Sequence, residues 1–345
     1  LNELDDYKQT IIHHACKSGN LELVQYLISL NEIDIIPKEE YSKTILHSAC
    51  HSGDVEIVRY IVSLEKININ TQDTDYETPL HVACYYGYYE ITEFLLSLPQ
   101  IDVNIQNESN ETPLHLAITS EYIDLVDLML SHKGIDASIL GEDRKTALHY
   151  ACDKGNLEIV KLLLKKDELD VCAIDNDNKT LLHFACESGN IELVKYLIEI
   201  DKIDINAKDN ENKTIFHYAS QSENYELVKY LIPLDIDINA KDNEEKTILH
   251  YLCSSGNLDI VKYISTIAEA NFDVKDYYSR TLLHEACSSG NIELVRFLVE
   301  NGKSNILAKD KRKNTLLHES SNNLQMIQYL ISLNTIDVNA KNDEG

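Results

Sequence analysis

The sequence contains no tryptophan, and it has only two methionines, five prolines and eleven glycines among 345 residues. Glycine and proline are the strongest sequence signals of turns, so this long chain contains few turn signals. No apolar run approaches the roughly 18–20 residues that a membrane-spanning helix needs, which argues against direct membrane insertion. Basic residues are scarce as well, because 58 Asp and Glu face 31 Lys and Arg and leave a formal charge of −27. That balance argues against nucleic acids and anionic membranes as partners, since both attract clustered basic residues.

The remaining composition is that of a folded protein. Hydrophobic residues make up 43% of the chain and charged residues 26%, which excludes a disordered chain. The length fits two or three ordinary domains or one long repetitive domain. The chain starts at Leu1 without a basic or an apolar leader, so we expect no targeting peptide. The acidic excess favours basic or apolar protein partners and predicts little self-association, so we expect a monomer.

The most informative feature is an internal repeat. A threonine recurs in steps of 34 residues, with a single step of 33, and each one opens a segment of the form T-x-[L/I/F]-H-x-[A/L/S], which we call the box. We number the repeats 1 to 10 by these threonines, which are Thr10, Thr44, Thr78, Thr112, Thr146, Thr180, Thr214, Thr247, Thr281 and Thr315. A constant period of this length is typical of a solenoid.

Each repeat also carries the signals of two short helices. The threonine is a good N-cap, and Pro79 and Pro113 stand at the first helical position. Seven repeats have a glycine nine residues after the threonine, where a left-handed cap ends the first helix: Gly19, Gly53, Gly87, Gly155, Gly189, Gly256 and Gly290. In six of the seven, Asn or Asp follows and can cap a second helix. Repeats 4 and 7 have Glu121 and Glu223 in place of the glycine, and repeat 10 is two residues shorter after its box, so we expect these repeats to be the least stable.

These boxes, such as Thr78–Ala83 and Thr112–Ala117, resemble those of the ankyrin repeat family, and the resemblance covers essentially the whole chain. It implies an all-α solenoid of helix–turn–helix units joined by β-hairpin-like loops. We expect a single array of ten repeats over residues 1–345. Neither end carries the polar sequence of a terminal repeat, so we also expect a fragment of a longer array.

Histidine and cysteine recur with the same period. Ten of the thirteen histidines are box residues, and seven of the eight cysteines follow a box histidine by three positions. Residues three apart share a helix face, so each pair resembles two metal ligands. The structural interpretation is favoured, because neighbouring pairs lie about one helix spacing apart, roughly 8–10 Å, too far to share an ion. We therefore expect no metal and no disulfide, with each histidine bonded to its threonine and loop. Eight unpaired thiols predict a reducing compartment, cytoplasmic or nuclear.

Motifs for catalysis are absent from the sequence. It contains no glycine-rich nucleotide loop and no G-x-S-x-G elbow, so we expect neither an enzyme nor a cofactor.

The acidic groups at Glu142–Asp143 and 243–245 fall at hairpin tips and are interpreted as solvated turns. The basic group Lys309–Lys313 is a tip as well; a solvated loop is favoured there, and contact with an acidic partner stays open. The resemblance further implies that asparagines at one hairpin position can be hydroxylated. Hydrogen bonding of these side chains to the local backbone is the favoured interpretation. The asparagines at this position are Asn70, Asn104, Asn206, Asn239 and Asn339.

The resemblance implies a protein-binding scaffold or adaptor that uses the concave face and the hairpin tips. The alternative is a regulatory or tethering domain of a larger channel, enzyme or ubiquitin-ligase component, and a third interpretation is a structural spacer. The residue after the box histidine varies between repeats and is aromatic in four consecutive ones, where we predict exposed partner-binding rings: Tyr150, Phe184, Tyr218 and Tyr251. Tyr85 and Tyr86 extend this predicted site. The alternative for the four rings is that they pack on one another and stiffen the array.

One further set of tyrosines occupies a single second-helix position, which predicts packing between repeats. Its members are Tyr26, Tyr60, Tyr196, Tyr230, Tyr263 and Tyr329.

Overall fold

The computed structural model describes residues 9–30, 33, 43–166, 169–200, 202–222, 224–267 and 269–345. Over these ranges the regular structure consists of twenty α-helices and one 3-10 turn at Glu142–Arg144, without a β-strand. A single isolated antiparallel bridge, between Lys275 and Thr281, lies in the described loops. The predicted all-α class is confirmed.

The chain divides into two compact units, Leu1–Asn176 and Asp177–Gly345. The helices of the first unit are α1 Ile11–Lys17, α2 Leu21–Ser29, α3 Ile45–Ser52, α4 Val55–Ser63, α5 Pro79–Tyr85, α6 Tyr89–Leu96, α7 Pro113–Thr119, α8 Ile123–Ser131, α9 Ala147–Asp153 and α10 Leu157–Leu163. Those of the second are α11 Leu181–Glu187, α12 Ile191–Glu199, α13 Ile215–Gln221, α14 Tyr225–Leu231, α15 Ile248–Ser254, α16 Leu258–Ile264, α17 Leu282–Ser289, α18 Ile292–Glu300, α19 Leu316–Glu319 and α20 Leu324–Ser332. Odd-numbered helices are the first helices of their repeats and even-numbered helices the second. A single array over the whole chain stays a prediction.

The first helices begin where the box threonine caps them. In α5 the Thr78 hydroxyl accepts the backbone N–H of His81, and His81 Nδ1 accepts the backbone N–H of Thr78 at 3.1 Å. This is a reciprocal capping box with histidine in the place usually held by Glu or Gln. Second helices begin at the predicted caps, as where Asn190 Oδ1 accepts the N–H groups of Glu192 and Leu193.

The seven predicted cap glycines all have positive φ, between 65° and 79°. Glu121 adopts the same conformation in repeat 4, with a φ of 60°. A side chain is strained in this region by roughly 1 kcal/mol, because Cβ approaches the following carbonyl. Glu223 lies outside the described residues.

Within each unit, first helices pack on the first helices of neighbouring repeats, as α5 does on α7 and α15 on α17. The buried residues between them include Leu80, Ala83 and Cys84, each without exposed surface. Burial raises the pKa of the Cys84 thiol to about 12, so the thiol stays protonated and acts as a small apolar filler. Seven of the eight cysteines are buried, and Cys172 is exposed.

The loops between repeats are held by carboxylates and amides that accept backbone N–H groups. Asp209 Oδ1 accepts the N–H groups of Glu211 and Lys213, each at 2.8 Å, and so closes a hairpin-like turn. Asn104 reaches the next repeat, where Nδ2 donates to the Gly134 carbonyl at 2.8 Å and Oδ1 accepts the N–H of Asp136 at 3.0 Å. The hairpin asparagine therefore joins successive loops through backbone groups.

Candidate partner-binding site

The four predicted box rings are less exposed to solvent in the structure than the sequence pattern predicts. Phe184 is 3% exposed and Tyr218 is 4% exposed, so the prediction of exposed rings is wrong for these two residues. Tyr150 and Tyr251 are half-buried. The hydroxyls turn towards their own hairpins, where Tyr218 donates to Asp209 Oδ2 and Tyr251 donates to the equivalent Asp242 Oδ2, both at 2.6 Å.

The same rings contact the preceding repeat. The ring centroids of His115 and Tyr150 are 4.9 Å apart, those of His183 and Tyr218 are 5.3 Å apart, and both pairs are tilted or edge-on. Lys179 lies 5.0 Å from the Tyr218 ring and covers part of it. Each of the three box tyrosines therefore lies between its hairpin and the histidine of the preceding repeat, and this packing accounts for burial that the sequence pattern missed.

His81 illustrates the structural role of a box histidine. Because His81 Nδ1 accepts the Thr78 N–H, the ring proton is on Nε2, which donates to the Glu111 carbonyl of the next loop at 3.1 Å. Burial lowers the pKa of His81 to about 4, so the imidazole is neutral at pH 7. Over the described ranges, no group of three or more His, Cys, Asp and Glu is arranged to hold a metal ion.

Tyr85 and Tyr86 are, by contrast, open to solvent, with 54% and 39% of their surfaces exposed. Their rings meet edge to face at 5.1 Å, and the Tyr86 ring stacks on Tyr88 at 5.7 Å. The Tyr86 hydroxyl lies 3.2 Å from His51 Nε2 in the preceding repeat. Tyr89 is exposed next to them. Together with exposed Tyr122 of repeat 4, these residues form what we call the tyrosine patch: Tyr85, Tyr86, Tyr88, Tyr89 and Tyr122.

Two members of the tyrosine patch occupy helix N-cap positions. Tyr88 caps α6 and Tyr122 caps α8, and neither side chain accepts a capping hydrogen bond. Asparagine does two jobs at this position elsewhere. In repeat 9, Asn291 Oδ1 caps its own helix and Nδ2 donates to the Gly256 carbonyl of the preceding repeat at 2.7 Å. Repeats 3 and 4 lack both of these side-chain interactions. The Tyr88 hydroxyl instead donates to the His51 carbonyl of the preceding repeat at 3.4 Å, and Tyr122 is exposed.

The two N-cap tyrosines rest on the glycines of the preceding repeats. A Cβ placed on Gly53 would lie 2.9 Å from the Tyr88 ring, and one on Gly87 would lie 2.3 Å from the Tyr122 ring. Both glycines also have positive φ. Glycine is therefore required at Gly87 by the backbone and by the tyrosine ring, and this contact positions the ring.

Concave surface borders the tyrosine patch on both sides. A groove of about 430 Å³ is lined by Tyr85 and Tyr86 together with Lys17, His51 and Val82. A shallower cleft of about 890 Å³ lies along the second helices, where Tyr89 and Tyr122 form part of its wall. Aromatic rings beside a groove with a few polar groups are typical of a site for a partner's side chains.

Sequence reasoning found Tyr85 and Tyr86 but missed Tyr88, Tyr89 and Tyr122. A signal for two of these was present: after the cap position, where six of the seven glycine-bearing repeats have Asn or Asp, repeat 3 has Tyr88 and repeat 4 has Tyr122. A capping position that loses its polar residue in two adjacent repeats is a departure from the local rule, and such departures concentrate at functional sites.

The second-helix tyrosines are also more open than predicted. Tyr26 and Tyr263 are exposed, so the prediction of packing between repeats is wrong for these two. A basic side chain from the preceding repeat covers several of the rings, as Lys195 does at 5.5 Å from the Tyr230 centroid and Arg296 at 4.9 Å from that of Tyr329. The contact between repeats at this position is therefore cation–π and not apolar burial.

Comparison with known proteins finds a family model that matches most of the chain. The family model described as "Ankyrin repeats (3 copies)" matches residues 1–73, 63–140, 133–209, 202–276 and 249–342. No curated protein matches the chain. Among the described helices, none combines the length and the apolar character needed to cross a membrane.

Proposed function

The chain belongs to the ankyrin repeat family, whose repeats are generally protein–protein interaction modules, and we propose that it is a non-enzymatic scaffold that binds a partner protein through the tyrosine patch. The observation that carries this proposal is the exchange of capping residues for tyrosine in repeats 3 and 4. Losing an N-cap costs about 1 kcal/mol, and each of these repeats also lacks the amide bond to the preceding glycine carbonyl. We propose that the exchange serves a binding surface, because both repeats lose the side-chain cap of their second helix.

The composition of the tyrosine patch supports the same proposal. Tyrosine supplies large contact area at low cost in side-chain entropy and is enriched where interfaces gain most of their energy. Tyr85 and Tyr86 are the central residues of the patch, because both are exposed and their rings contact each other. We propose that a partner inserts apolar side chains between these rings and hydrogen-bonds the hydroxyls from the groove side. Phe184 and Tyr218 are assigned to packing between repeats, while Tyr150 and Tyr251 remain predicted contacts.

The test compares two double variants. Replacing Tyr85 and Tyr86 by serine should weaken capture of the partner by at least about 30-fold, because two interface tyrosines contribute about 2 kcal/mol or more together. The matched control replaces the exposed Tyr26 and Tyr263 by serine, which removes the same groups outside the tyrosine patch. Partner proteins recovered from a lysate are quantified by mass spectrometry, and the affinity of each recovered protein is then measured with the purified chain.

The control should retain every partner, and both variants should melt close to the unchanged chain, since exposed residues contribute little to stability. Full affinity of the Tyr85 and Tyr86 variant for every partner would contradict the proposal. Equal losses in both variants would show that the interaction is not specific to the tyrosine patch.

A further inference from the structure

A second surface, at the hairpin tips of repeats 9 and 10, differs in charge from the rest of the chain. We propose that these tips bind an acidic peptide segment of a partner protein. We call this surface the basic tip and define it by Tyr277, Tyr278, Lys309, Lys311 and Arg312, all of which are exposed. It lies in a chain with a formal charge of −27.

The basic tip is ordered by contacts between the two hairpins. The backbone N–H of Lys311 donates to the Tyr278 carbonyl at 2.8 Å, which joins the tips directly. The Lys311 ammonium lies 3.6 Å from the centroid of the Tyr277 ring, and Tyr277 meets Tyr278 edge to face at 5.3 Å. Two rings and a lysine are thus held in one arrangement, which lowers the entropy lost on binding.

The basic side chains of the tip form no ion pairs with described residues, although acids are abundant in the sequence. Within the part of the chain that the structure describes, no Asp or Glu forms an ion pair with Lys309, Lys311 or Arg312. The nearby Asp310 accepts one hydrogen bond at each oxygen, from the backbone N–H and the side-chain amide of Asn314, at 2.7 and 3.0 Å. Glu319 is engaged by Arg280 at 3.2 Å.

Two lysines on second helices are paired with acids, in contrast to the bases of the basic tip. Lys195 pairs with Glu192 at 2.8 Å, and Lys229 pairs with Glu226 at 2.7 Å. The comparable tip of repeat 8 carries Glu244 and Glu245. Because Lys309, Lys311 and Arg312 have no ion-pair partner among the described residues, their charges favour carboxylates from another molecule.

The shape of the basic tip favours a peptide over an extended polyanion. A cleft of about 260 Å³ lies between the tips. Three of its lining residues are basic and two are acidic, and the full lining is Tyr278, Arg280, Asp310, Lys311, Arg312, Asn314 and Glu319. This volume fits one or two side chains, and the guanidinium of Arg312 suits a bidentate contact with a carboxylate. A duplex or an anionic bilayer requires many phosphate contacts over a broad surface, and the acidic remainder of the chain opposes that approach. A short segment with alternating acidic and apolar residues uses both the bases and the tyrosine rings.

The experiment uses the full chain and a fluorescent peptide of about twelve residues that alternates Glu with Leu, followed by anisotropy at about 50 mM salt. The same peptide with Gln for each Glu is the ligand control. We expect the Glu peptide to bind at least about tenfold more tightly than the Gln peptide, since charge-assisted hydrogen bonds are about twice as strong as neutral ones. Replacing Lys311 and Arg312 by Gln should weaken binding about tenfold or more with an unchanged thermal melt.

The matched protein control replaces Lys195 and Lys229 by Gln, which makes the same change in net charge at paired lysines. It should bind the Glu peptide like the unchanged chain, and so should the Tyr85 and Tyr86 serine variant, which separates this inference from the tyrosine patch. An equal loss in the Lys195 and Lys229 control would overturn the proposal, because only net charge would then matter. Equal affinity for the Glu and Gln peptides, or tighter binding to a DNA duplex or to phosphatidylserine vesicles, would also overturn it.

Discussion

Replacing Glu285 by tyrosine should stabilise repeat 9, although it changes a charged residue into a larger one. Glu285 follows the box histidine, at the position of Tyr218 and Tyr251 in repeats 7 and 8. Those hydroxyls donate to hairpin aspartates at 2.6 Å. In repeat 9 the equivalent Asp276 is 4% exposed and Glu285 is 5% exposed, and two carboxylates meet where the other repeats have a donor and an acceptor.

The electrostatics of this pair are unfavourable at neutral pH. Asp276 Oδ2 accepts no hydrogen bond from any described residue, and Glu285 is held only by Arg280 at 3.4 Å. Burial raises the pKa of Glu285, with Asp276 and Glu319 adding repulsion and with Arg280 and Lys246 opposing them. Burial also raises the pKa of Asp276, against the hydrogen bonds and the charge of Arg280. A carboxyl group with a raised pKa in the folded state stabilises the fold at low pH and loses that contribution as pH rises.

The size of the effect follows from two opposing changes. A hydroxyl that donates to the buried Asp276 carboxylate contributes about 1.5–3 kcal/mol. Loss of the half-buried pair between Arg280 and Glu285 costs up to about 1 kcal/mol, and Arg280 keeps Glu319 as its partner. The expected net gain is about 1–2 kcal/mol, which slows local opening by about 5- to 30-fold.

The assay is hydrogen exchange of α17 at several pH values. In the unchanged chain, protection of α17 should fall as the pH rises through the raised pKa values of Asp276 and Glu285, because the two carboxyls then ionise. The Glu285→Tyr variant should be more protected at pH 7 and should lack this fall, so the difference between the two proteins should grow with pH. Tyr251→Phe is the matched control, which removes the equivalent hydroxyl in repeat 8 and should accelerate exchange of α15. Equal or faster exchange of α17 in the Glu285→Tyr variant at pH 7 would refute the reasoning.

Three other outcomes test the structure. Burial holds the pKa of His81 at about 4 instead of 6.5, so folding should lose up to about 3 kcal/mol from such a histidine as the pH falls through this interval, measured by urea unfolding at several pH values. Replacing Tyr88 and Tyr122 by asparagine should stabilise their helices by about 1 kcal/mol each and weaken partner capture; a destabilised fold would show that the rings are structural. Glu121→Gly should slow hydrogen exchange of repeat 4 by about fivefold, since it relieves roughly 1 kcal/mol of backbone strain, and unchanged exchange would contradict this.

The sequence by itself determined the helical architecture, because the interactions that start and stop each helix are local. Thr78 and His81 are three residues apart and satisfy each other without help from any other repeat. Gly87 provides the left-handed turn through its own backbone freedom. Local signals repeated with a constant period predict helices reliably, and they located most caps in the described chain.

Only the tertiary structure decided which aromatic rings are buried. Tyr218 is covered by the preceding box histidine and by its own hairpin aspartate, whereas Tyr85 and Tyr86, on the same kind of helix, are exposed. The burial of Tyr218 depends on His183, a residue of the neighbouring repeat 35 positions away, and periodicity within one repeat carries no information about that contact. Burial in a solenoid is a property of adjacent repeats together, since each unit closes its surface only against the next.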